Sequence, residues 1–163
     1  ANCRCVTLIE GAVSNIDGVC EFASDYIGGF TGTLETDKST FPELHYNAAR
    51  KVISVKTVAL DTVCLATKEP PDLVKMDTGG SHLEFIEGSR NLMKDHQPIV
   101  VLGYLPANRA LIFDLVKSYG YVPVCLQNDD PACAETALHV IAVPEAQKAR
   151  LPEIFAAIAD FSK

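Results

Sequence analysis

The sequence predicts an α/β domain built on a mainly parallel sheet with helices on both faces. Three observations carry that prediction. From residue 72 onward, short apolar runs alternate with segments of helical periodicity. The run "IVVLGY" (99–104) is almost continuously apolar, as a strand covered on both faces must be. "YVPVCL" (121–126) and "ALHVIAV" (137–143) follow one another with no helical pattern between them, so the last two strands should pair antiparallel.

The elements follow in order. "CVTLIEGAVS" (5–14) and "VCEFAS" (19–24) read as strands joined by a turn at Asp17-Gly18. The polar, glycine- and threonine-rich stretch "DYIGGFTGTLETDKSTFPE" reads as the main loop, and "KVISVKTVALDTV" (51–63) alternates like a half-buried strand. "DLVKMD" (72–77) is a short strand, and residues 82–95 form one helix whose apolar face is Leu83, Phe85, Ile86, Leu92 and Met93. Ser81 and Glu84 match the S-x-x-E capping box, and Pro98 stops the helix. Asn108 is placed to cap the next helix, whose stripe is Leu111, Ile112, Leu115, Val116 and Tyr119, and Gly120 is placed to end it in the left-handed conformation. Pro123 marks its strand as an edge or a bulge. Pro152 starts a last helix that turns Ile154, Phe155, Ile158 and Phe161 to the core.

At 163 residues the chain is expected to be one domain, residues 1–163, with no internal repeat and no linker. A net charge of −7 argues against non-specific nucleic-acid binding, which needs surplus Lys and Arg to displace counterions. No apolar run approaches the ~18–20 residues that span a bilayer, although docking on a membrane-embedded partner stays open. The chain begins at Ala1 without an apolar signal-like segment, so the expectation is processing or truncation of a longer product, in a compartment the sequence does not specify.

Six cysteines occur, Cys3, Cys5, Cys20, Cys64, Cys125 and Cys133. Cys3 and Cys5 have metal-ligand spacing but no second pair follows, so no metal is expected. Cys125 and Cys133 flank "LQNDDPA" and are either a disulfide or two buried thiols.

The order and residues of several segments resemble the FkbM-type methyltransferases, S-adenosylmethionine-dependent O-methyltransferases of the Rossmann-like class. "AVSNIDGVCEF" resembles that family's AVSD-x-x-G-x-x-x-F segment, and "VALDTV" its T-L-D-x-L step. "DLVKMDTGGSHLEFIEGS" resembles its strand, Lys, apolar, Asp, apolar, Glu, Gly run followed by a helix with an L-x-G-A step. The resemblance extends from about residue 2 to about residue 126. It implies a Rossmann-like methyltransferase sheet, mostly parallel with a C-terminal antiparallel strand and, within these residues, lacking the first two strands.

The resemblance also locates the candidate site. In the family the end of the strand at 72–77 faces the crevice where cofactor and substrate meet. Asp77 and Lys75 keep their places, and both are candidate catalytic residues; Asp77 is equally a candidate for capping the turn. His82 stands where the family has Glu on the helix, either as a general base or as an ordinary surface histidine. Gly79 and Gly80 are the candidate cofactor-binding turn, and they equally suit a tight corner without a ligand. Asp77-Thr78-Gly79-Gly80 replaces Asp-x-Glu-Gly, and Gly103 replaces the Glu that ends the following strand. The family's D-x-G-A-N-x-G cofactor turn and its ribose-binding acid have no counterpart, since "YIGGFTGT" (26–33) does not join a strand to a helix in the required way.

Without the first two strands, the strand at 72–77 loses its neighbour, and unpaired backbone groups there call for a covering partner protein. Three functions follow. The first is a catalytically degenerate domain serving as a structural or accessory subunit, with no cofactor. The second is an active O-methyltransferase using S-adenosylmethionine, completed by an N-terminal half. The third is a module binding a small ligand near Asp77, Lys75 and Tyr104.

Overall fold

The computed structural model describes residues 6–25, 33–34, 50–77, 81–103, 109–125, 139–154 and 156. The chain is α/β, with two four-stranded sheets and several helices.

The first sheet contains β1 (Ala12–Val13), β2 (Gly18–Asp25), β3 (Thr33–Leu34) and β4 (Arg50–Val58), in the order β1-β4-β2-β3. β2 and β4 form its antiparallel centre, from Gly18 opposite Thr57 to Asp25 opposite Arg50, while β1 joins β4 in parallel. Of the described residues of the strand expected over 5–14, Ala12 and Val13 form the strand.

The strand expected over 51–63 stops at Val58, and residues 60–67 instead form helix α1 (Leu60–Thr67). The alternation that suggested a strand ends where Asp17 intervenes. Its carboxylate accepts the N–H of Ala59 at 2.9 Å and the hydroxyl of Thr62 at 2.7 Å, which turns the chain. None of the residues of α1 is fully buried, although Leu60 packs against the core.

The second sheet is built from β5 (Leu73–Met76), β6 (Ile99–Gly103), β7 (Tyr121–Cys125) and β8 (His139–Pro144), in the order β5-β6-β8-β7. β5 and β6 pair in parallel, and β8 runs antiparallel to both β6 and β7. Three of the four strands therefore share one direction. Pro123 lies in β7, an edge strand of this sheet, where its missing N–H costs no ladder bond.

One face of the second sheet carries the core. Met76, Val100, Leu102, Val140 and Ala142 pack there against α2 (His82–Glu87), a π-helix (Leu92–His96) and α3 (Arg109–Ser118). In α3, Ile112 and Val116 are fully buried, whereas Leu111 is 55% exposed and lies outside the stripe. Gly120 has φ +81° and follows α3 as the sequence indicates. The expected final helix begins as a 3-10 helix (Glu145–Arg150) and continues through 151–154. Asn108, Phe155, Ile158 and Phe161 lie outside the described residues.

The single helix expected over 82–95 is broken. α2 ends at Gly88, and the chain restarts to form the π-helix, closed by Gln97 at φ +50°. The capping box at Ser81 and Glu84 does not form. Ser81 has ψ 39°, outside the extended region that an N-cap side chain needs to reach back to the helix N–H groups. Among the described residues, no helix is long and apolar enough to cross a membrane.

Candidate functional site

The carboxyl end of β5 places Lys75 and Asp77 two residues apart on one side of the strand. Lys75 Nζ donates to Asp77 Oδ2 at 3.0 Å, and the two side chains are 61% and 65% exposed. A solvent-screened pair of this kind contributes at most ~1 kcal/mol. His82 is not an ordinary surface histidine. It opens α2 with 2% exposure, beside Ser81 at 6%. Burial of the His82 side chain, rather than exposure to water, overturns that reading. Gly103, at the end of β6, is buried as well. Gly79, Gly80 and Tyr104 lie outside the described residues, as do residues 26–32 of the glycine cluster.

Among the described residues, three of the grooves that indent the surface lie away from Lys75, Asp77 and His82. One of about 500 Å³ lies along β4, between Gly11 and Ile53. Another of about 440 Å³ separates α1 from the π-helix, near Cys64, Lys68 and His96. The third, about 600 Å³, lies beneath the 3-10 helix on the second sheet's other face, over Leu73, Ile99, Val101 and Ile141. It sits at the amino ends of β5 and β6, opposite the edge where α/β sheets bind their ligands. Among the described residues, no three His, Cys, Asp or Glu side chains gather as a metal centre would require. Cys20 and Cys64 are free thiols, while Cys3, Cys5 and Cys133 lie outside the described residues. Burial first, and the Asp61 carboxylate second, push the Cys64 thiol above its ordinary range, so it is a poor nucleophile.

The densest polar arrangement lies elsewhere, where the two sheets join. Asp61, in the first turn of α1, accepts the backbone N–H of Asn91 through Oδ2 and of Leu92 through Oδ1, both at 2.9 Å. These are the free donors at the start of the π-helix. The N–H of Asp61 donates to the Gly88 carbonyl at 2.9 Å. Ser14 donates its N–H to Val58 at 3.0 Å, and Asn15 Nδ2 donates to Glu87 Oε2 at 3.0 Å. The backbone of Ser14 crosses the end of α2 so closely that a Cβ built on Gly88 would overlap the Ser14 carbonyl oxygen. Hydrogen bonds from Thr62 first, and from the Ala59 N–H second, hold the Asp17 carboxyl below its ordinary range.

Sequence reasoning placed Asp17 only in a turn and assigned no role to Asp61 or Gly88. The available signal was their position: "AVSNIDG", "ALD" and "IEGS" are the segments that carry the family likeness, and all three meet at this crossing.

No curated protein and no solved structure matches the chain. A family model described as the methyltransferase FkbM domain matches residues 3–123, well over half of the sequence. The match covers the first sheet, the joint and the second sheet as far as Pro123, leaving β8 beyond it, and the chain belongs to the FkbM methyltransferase domain family.

Proposed function

We propose that these residues form a catalytically degenerate FkbM-type domain, which does not transfer methyl groups by itself and serves as a structural or accessory part of a larger assembly. The observation that carries this reading is the state of the corner after β5. Asp77 is engaged with Lys75 in solvent. Where the family has carboxylates, the chain has His82, almost wholly buried, and Gly103, also buried.

Support comes from the described residues of the corner, where Asp77 is paired with Lys75 and where His82 and Gly103 supply no carboxylate. A ribose diol needs a free carboxylate in a crevice, and a cationic sulfonium needs negative charge near it. Among the described residues, the outer side of β5 has no strand partner, and Leu73 is 59% exposed beside it. An edge of this kind favours a protein partner that adds a strand, over nucleic acid or a lipid surface.

Calorimetric titration of the 163-residue chain with S-adenosylmethionine tests the proposal. No heat of binding is expected, and micromolar affinity would overturn it. The open side of β5 also favours a second reading, an active O-methyltransferase whose cofactor-bearing strands come from another polypeptide segment. In that case, adding a segment with a D-x-G-A-N-x-G turn restores cofactor binding.

A further inference from the structure

Residues 6–13 and the side of β4 that no other strand covers among the described residues share a register that the structure uses only in part. Ala12 and Val13 pair in parallel with Thr57 and Val58. Upstream, residues 6–10 belong to no strand, and Val6, Leu8 and Ile9 are 71%, 84% and 49% exposed. The groove of about 500 Å³ separates Glu10 and Gly11 from Phe22, Ile53 and Val55. Gly11 already stands at strand distance, because a Cβ built there would lie 3.3 Å from the Lys56 carbonyl oxygen.

Extending the register backward sets Gly11 against Lys56, Glu10 against Val55, Leu8 against Ile53 and Thr7 against Val52. Side chains alternate along a strand, so Leu8 would arrive on the same face as Ile53. Ile53 is itself paired with Phe22 of β2 and is 39% exposed. Exposed Leu8 and Ile53 and half-buried Phe22 would form one apolar row across the three strands. Val, Thr, Leu and Ile in succession also suit a pleated, half-buried surface.

The geometry points to a strap: residues 6–11 close onto the free side of β4, lengthen β1 back to Val6 and lay Leu8 over Ile53 and Phe22. Closure removes an exposed apolar segment from an unprotected sheet edge, the arrangement most prone to pairing with other chains. The inference stands apart from the methyltransferase reading, since it uses neither cofactor nor catalytic residues.

Hydrogen exchange by nuclear magnetic resonance on the full chain tests it. The amides paired with β4 within 6–11 are expected to exchange at least about tenfold more slowly than in an unstructured peptide. Leu8 methyl protons should also show contacts to Ile53 and the Phe22 ring. Leu8→Asp removes both signals while the β2–β4 amides keep their protection. That variant alters a side chain exposed in the open form, so the fold itself survives. Peptide-like exchange at 6–11 in the unaltered chain, or protection that persists in Leu8→Asp, would overturn the strap. Protection that appears only as concentration rises would overturn it too, because a second copy would then be supplying the strand.

Discussion

Gly88→Ala tests the joint between the two sheets through the sign of its effect. Gly88 has φ −78° and ψ −2°, ordinary right-handed geometry that alanine adopts without strain. On backbone grounds alone the substitution would stabilise the protein by roughly 0.5–1 kcal/mol, because glycine loses more freedom on folding. The crossing predicts the opposite. The new methyl would overlap the Ser14 carbonyl oxygen and lie 3.1 Å from Asn15 Cα.

Those atoms are backbone, and they are fixed. Ser14 is held by its bond to Val58, and Asn15 by its bond to Glu87. Overpacking of this kind costs roughly 1–3 kcal/mol. Relieving it by separation weakens the Asp61-to-Gly88 and Ser14-to-Val58 bonds, each worth ~1 kcal/mol. After the gain in chain entropy is set against these costs, a net loss of about 3 kcal/mol is expected. In a domain of this size that lowers Tm by roughly 6–12 °C. Urea denaturation and a thermal scan read it directly. An unchanged or raised Tm would show that Ser14 does not cross α2, and the account of the joint would fail.

Two further substitutions probe the same joint. Asp61→Ala removes the acceptor of the Asn91 and Leu92 N–H groups and should cost about 2–3 kcal/mol by denaturation, with exchange accelerated first at those two amides; unchanged exchange there would argue against the carboxylate as their partner. Asp17 has a folded pKa below its unfolded value, so the stability it adds is present above about pH 4 and disappears as pH falls through the folded value. Asp17→Asn should flatten that part of the acid-side decline in denaturation midpoint, and an identical pH dependence in the variant would refute the assignment.

The second half of the fold was legible because its signals are local and agree. The apolar run at 99–103, the stripe of Ile112 and Val116, the left-handed Gly120 and the edge proline at 123 each report their own element. The breaks were not legible, because their causes lie far along the chain. β4 ends where a carboxylate from residue 17 captures Ala59, and the helix expected over 82–95 breaks where Ser14 crosses Gly88 and Asp61 captures residues 91 and 92. Periodicity cannot report an acceptor thirty or more residues away. At the corner, strand alternation alone sets Lys75 beside Asp77, whereas the burial of His82 had no local signature.

Joint and corner are expected to respond to substitution differently, so that a chain can keep the family's fold while its corner changes. A change at Gly88 or Asp61 strikes folding itself. A change at the corner alters chemistry and leaves the sheets joined. His82→Glu, compared with His82→Gln, tests whether the corner still suits the acid found in the family. At 2% exposure a carboxylate there is desolvated, so its folded pKa rises above the unfolded value of about 4.3. The penalty is then absent at low pH, where both states are protonated, and grows as pH rises through the unfolded pKa. His82→Glu should therefore be less stable than His82→Gln at pH 7 by an amount that shrinks toward pH 4. Equal stability of the two variants at pH 7 would mean that the corner accommodates negative charge without a ligand, and the case for an inert site would fall with it.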